Sequence, residues 1–158
     1  MKRSLIRTAH LAAGIIAFAT ILAFWLASVG AEFFGDHTIV ADVKQTILRG
    51  MFVLIPAMAV VGGTGFSLAG KSTALIVVAK RRRMPAISLN GLVVLVPSAF
   101  FLAGRAAAGQ FDATFAVVQA IELAAGATNL VLMGLNMRDG FRMTAKRRRQ
   151  RRPIGAVM

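Results

Sequence analysis

The chain has 158 residues, 57% of them apolar, and a positive mean hydropathy, which excludes an ordinary soluble domain and places it among membrane proteins. It contains no cysteine, so disulfides, thiolate metal sites, iron–sulfur ligation and covalent haem attachment are excluded together. The net charge of +13 would suit a nucleic-acid binder only if it were spread over a folded surface.

The charge is not spread. Lys and Arg number three before the first apolar run, two in the next loop, five in the third segment, one in the fourth and eight at the C-terminal end. Alternate segments hold sixteen against three, which is the positive-inside pattern and predicts both termini in the cytoplasm. Four apolar runs of span length predict an all-α, integral membrane four-helix antiparallel bundle over residues 1–142, followed by a basic cytoplasmic tail over 143–158.

The first span is expected at about residues 8–30. Its apolar run from Leu11 to Val29 exceeds the roughly 7 to 15 residues of a signal-peptide core, so it is expected to stay attached. Its packed side is predicted to be Ala13, Ala17, Thr20, Phe24 and Ala27, with Trp25 in the interfacial aromatic layer. Residues 31–45 read as an outer loop holding His37 and the acids Glu32, Asp36 and Asp42. The second span, at about 45–69, contains Pro56 and the glycines 62, 63 and 65, which predict a kink or early break. In residues 71–83 a short apolar run lies between basic residues and predicts an interfacial helix on the cytoplasmic leaflet, with Lys80, Arg81, Arg82 and Arg83 on anionic lipid.

The third span is expected at about 85–106, with Asn90 and a central Pro97, and a short turn returns the chain antiparallel beside it. The tail carries Lys146, Arg147, Arg148 and Arg149 and has no apolar periodicity, so it is expected to be disordered or ordered only on anionic lipid. No aromatic residue is interleaved there for base stacking, and no nucleic-acid partner is expected.

The fourth span, at about 111–136, carries the most specific signal. Gln119, Glu122, Gly126, Asn129, Met133 and Asn136 follow one another at intervals of three and four and form one helical stripe. A carboxylic acid and three amides cannot face hydrocarbon, so the stripe must face other helices. Asn90 and Asn129 fall at similar depth and are placed to bond across the third and fourth spans. Thr20, Pro56, Pro97 and Glu122 come out near the midplane, and Glu122 is expected to be protonated. The nearest cations considered, Arg49 and Arg105, belong near the outer boundary.

The segments LIPAMAVVGGTGFSLAG, KRRRMPAISLNGLVVLVPSAFFLAGRAAAG and ELAAGATNLVLMGLNMRDG, within about residues 44–142, resemble small four-span inner-membrane proteins of proteobacteria. The resemblance implies a bacterial inner-membrane location and a four-helix fold. It carries over no catalytic or binding residue.

Two further patterns bear on chemistry. Gly65 to Ser72, GFSLAGKS, matches the phosphate-loop pattern letter for letter, but four span-length runs leave no parallel sheet behind it and no nucleotide is expected. His10 and His37 stand 27 residues apart, on the order of 40 Å at the helical rise, and cannot ligate one haem iron. The expected function is a non-enzymatic accessory or assembly component, with no catalytic residue, metal or cofactor. Its partners are the bilayer, anionic lipids and other membrane subunits or a second copy. Two alternatives stand beside it: a small proton-coupled transporter working through Glu122, and a b-type haem or quinone redox protein using His10.

Overall fold

The computed structural model describes residues 2–69 and 75–150 as helices joined by short turns. The helices are α1 (Lys2–Phe34), α2 (His37–Ala69), α3 (Leu75–Leu89), a π-helical segment (Asn90–Leu95), α4 (Val96–Ala107) and α5 (Ala113–Gln150). Because α3, the π segment and α4 are continuous, the described chain contains four helices long and apolar enough to cross a membrane. Large apolar side chains such as Phe52, Phe66, Leu92, Phe100 and Val131 point away from the bundle, as expected when hydrocarbon rather than water lies outside.

The helices run up and down. Around the bundle α1 packs on α2, α2 on α4, α4 on α5, and α5 back on α1. This order leaves α2 and α5 diagonal to one another. One end, where α1 begins and α5 finishes, carries His10, Thr64 and Asp139; the other carries Ala31, Val40, Ala106 and Phe115 around Leu102. A middle layer joins Ala17, Ile21, Ala57, Ile87 and Met133.

Several boundaries depart from the sequence reading. Helix α2 begins eight residues earlier than the predicted span, because Asp36 caps it: its carboxylate accepts from the Ile39 amide at 2.9 Å. The supposed outer loop shrinks to a tight turn at Gly35 and Asp36. Neither Pro56 nor the following glycines end α2, which continues to Ala69. The predicted interfacial helix is instead, from Leu75 onward, the first turns of the third spanning helix, and Pro85 lies inside it.

Pro97 is accommodated by the π segment just before it, where the Val96 amide reaches back five residues to the Gly91 carbonyl. Residues expected to be disordered from 143 onward continue α5 as far as Gln150. Ala, Lys, Arg and Gln all favour helix, and extending a formed helix requires no new nucleus. Residues 151–158, Lys71 and Ser72 of the glycine-rich pattern, and the side chains of Lys146, Arg147, Arg148 and Arg149 lie outside the described part.

The packed side of α1 also differs. Beyond Ala17 it passes through Ile21, Ser28 and Ala31, leaving Thr20 half-buried on its flank and Ala27 exposed. Trp25, expected in an interfacial layer, instead lies against α5. Its indole Nε1 donates to the Leu123 carbonyl at 3.0 Å, and a Cβ at Gly126 would stand 3.0 Å from its ring.

Candidate functional site

The stripe on α5 faces inward: Phe115, Gln119, Glu122, Gly126, Asn129, Met133 and Asp139 are buried and Asn136 is half-buried. The partner that Glu122 meets is Lys44, whose ammonium donates directly to the Glu122 carboxylate. Lys44 is only 1% exposed, among the most buried side chains of the described chain. Its ammonium also lies 3.4 Å from Ser28 Oγ on α1. Three helices thus meet at one charged centre, and the ion pair itself crosses the bundle from α2 to its diagonal neighbour α5.

This pair corrects the sequence expectation that no cation stands at the depth of Glu122. Lys44 falls within the predicted outer loop 31–45, and the earlier start of α2 turns it into the core. The inward row of α2 is Val40, Lys44, Ile47, Met51, Ala57 and Val61, so Lys44 falls within an apolar helical stripe. At 1.5 Å per residue Lys44 sits about 10 Å along α2 from its first residue, and Glu122 about 14 Å along α5, on the side of the Arg105 end. Glu122 therefore bonds to an ammonium.

Beside the pair is a small cavity of about 50 Å³, with room for a few waters at most. Its wall is almost wholly apolar, built by Ile21, Phe24, Trp25, Met51 and Leu95, with Glu122 and Ser28 supplying the polar groups. One turn before Glu122, Gln119 is buried with both ends of its amide unpartnered among the described residues.

The other predicted residues occupy separate layers. Asn90 Nδ2 donates to Asn129 Oδ1 and to the Ala125 carbonyl, both at 2.9 Å, and Asn129 Nδ2 lies 3.4 Å from the Ile87 carbonyl. This is the bond between the third and fourth spans that their similar depth predicts. Nearer the His10 end, Asn136 contacts Arg83 at 3.4 Å and Met84 Sδ at 3.8 Å. Arg83 forms an ion pair with Asp139 at 2.7 Å. Lys80 is half-buried, whereas Arg81 and Arg82 are exposed.

His10 Nδ1 pairs with Thr64 Oγ1 at 2.9 Å, and its ring lies over Gly65 near Met84. His37 stacks on Phe111 at the opposite end, with ring centroids 4.2 Å apart, so the two histidines do not meet. At that end Arg105 bonds to Asp112.

Comparison of the chain with protein-family models, with characterised proteins and with solved structures gave no match. Function has to be argued from the charged centre itself.

Proposed function

We propose that the protein is a non-enzymatic multi-pass component of a bacterial inner membrane, with both termini cytoplasmic, and that it acts as a helical scaffold for other membrane subunits or a second copy. The observation that carries this reading is the Lys44–Glu122 pair. A contact between diagonal helices ties together the two that the packing around the bundle leaves apart, and Ser28 of α1 joins it. Buried polar pairs of this kind specify register and arrangement more than they add stability. The Asn90–Asn129 bond and the Arg83–Asp139 pair add polar contacts between the neighbouring third and fourth spanning helices at two further levels, and the cavity beside the Lys44–Glu122 pair admits no solute larger than a few waters.

A second reading is favoured by one feature of the same pair. At Asn90 and Asn129 the chain joins helices with neutral amides, so charge is not required for helix pairing; Glu122, on the cavity wall, then serves as the proton site of a small carrier. The two readings separate on replacing both charges with apolar groups, Lys44→Leu together with Glu122→Leu, a change that buried ion pairs often tolerate. Wild type and double variant are reconstituted in liposomes enclosing a pH-sensitive dye. A scaffold gives no proton flux above empty liposomes in either protein, and native mass spectrometry finds the same co-purifying subunits or oligomer. Flux in the wild type that vanishes in the folded double variant overturns the scaffold in favour of the carrier.

A further inference from the structure

At the His10 end, positive groups from two helices surround a single carboxylate. Asp139 pairs with Arg83 of α3 at 2.7 Å and with its own neighbour Arg138 at 3.7 Å, and it lies within electrostatic reach of Arg142 and Lys80. Lys80 in turn lies within electrostatic reach of Arg83 and of His10 on α1. Four basic side chains therefore share one anion. Asp139 itself is buried, so the excess positive charge lies on its open side, toward Arg138 and Arg142, which are exposed.

The position of the group along the helices indicates which anion would balance it. From Met84 to Gly104 the third spanning helix has no charged residue, and those 21 residues span about 31 Å, close to the hydrocarbon thickness of a bilayer. Lys80 and Arg83 stand just beyond one end of that run and Arg105 just beyond the other. On α5 the uncharged run after Glu122 ends at Arg138. In a membrane both sets of cations thus lie in the headgroup layer, where the abundant anion is the phosphate of a lipid. Lys80 reaches α5 beside Gly140, where a Cβ would come within 3.3 Å of its ammonium.

We propose that the α3–α5 surface at the His10 end, formed by Lys80, Arg83, Arg138 and Arg142 around Asp139, is a binding site for the phosphate of an anionic phospholipid. The proposal rests on the membrane reading above and is independent of the role of Lys44 and Glu122. Arg83 supplies the planar fork suited to a phosphate oxygen pair while remaining held by Asp139. Lys80 supplies a point charge from the half-buried side.

The test is native mass spectrometry of the full chain in neutral detergent, titrated with phosphatidylglycerol and with phosphatidylcholine of identical acyl chains. The expected result is selective retention of phosphatidylglycerol, weakened about tenfold by Lys80→Gln, the loss expected for one charge-assisted contact. Arg81→Gln with Arg82→Gln removes two exposed charges from the same helix and should weaken it less than the single change. A double variant that loses as much as Lys80→Gln would overturn the site in favour of diffuse surface charge. Equal retention of the two lipids, or displacement by excess inorganic phosphate, would overturn it as well. Incorporation into phosphatidylcholine nanodiscs, followed by size exclusion, tests membrane insertion separately from headgroup charge.

Discussion

A lysine that is 1% exposed among Val40, Ile47 and Met51 depends on its partner, because removing one member of a buried pair leaves the other charge uncompensated. Glu122→Gln alone should therefore destabilise the bundle by about 3–5 kcal/mol, whereas adding Lys44→Leu to Glu122→Leu should restore most of the loss. Unfolding of the three proteins in the same detergent measures this, and a Glu122→Gln protein as stable as wild type would mean that Lys44 does not depend on Glu122. At the tip of the same end, Asp112 is held below the ordinary carboxylate range, first by its bond from Arg105 and then by the Phe115 amide, which its carboxylate caps at 3.0 Å. A depressed folded value contributes stability above the unfolded value of about 3.9 and loses it as pH falls through the lower folded one. Arg105→Gln should flatten that part of the acid dependence below about pH 4, as read from melting temperatures in acid. Glu122 was legible from sequence because its stripe is regular. Lys44 was not, since a charge at a span boundary reads as loop until the helix cap at Asp36 is seen.

Helix ends account for most of what the sequence left unread. Four spans and their order follow from hydropathy, and the inward face of α5 follows from spacing alone, because lipid forbids its polar groups any other direction. What hydropathy does not mark is how far a helix continues past its apolar core: α2 extends back to His37, the third helix to Leu75 and α5 on to Gln150. The contact of α1 with α5 was hidden for a related reason. Aromatic rings near span ends suit the interface, yet Trp25 is drawn inward by the Leu123 carbonyl and the missing side chain at Gly126. Trp25 is the sole tryptophan of the chain, so its fluorescence reports this contact directly. Gly126→Leu should displace the ring, shift its emission and destabilise the bundle by about 1–3 kcal/mol, the usual cost of overpacking. Gly134→Leu, on the same helix with open space around its Cα, should leave the emission unchanged. Equal shifts from both substitutions would show that Trp25 does not rest on Gly126.

At the scale of the whole molecule, the burial of Lys44 sharpens the charge asymmetry from which orientation is inferred. Once Lys44 is neutralised inside the bundle by Glu122, the Arg105 end keeps only Arg49 and Arg105 as cations, and Arg105 is itself bonded to Asp112. The His10 end holds the N-terminal Lys2, Arg3 and Arg7, the Lys80–Arg83 run and the arginines of α5 from Arg138 onward. The positive-inside rule counts short loops and the residues flanking each span, so it acts here in one direction at every crossing and predicts the His10 end in the cytoplasm. An even number of crossings then puts both termini on that side. The absence of native cysteine allows a direct measurement with single cysteines and a membrane-impermeant maleimide on intact cells. Glu32→Cys and Gln110→Cys, exposed at the Arg105 end, should be labelled from outside. Ser4→Cys and Arg82→Cys, exposed at the His10 end, should react only after the membrane is opened. Labelling of Glu32→Cys and Arg82→Cys from the same side would contradict the four-crossing arrangement, because α2 alone separates them. Labelling of Ser4→Cys and Arg82→Cys from outside, with Glu32→Cys protected, would keep the bundle and invert its orientation, placing the basic surface of α3 and α5 on the outer leaflet.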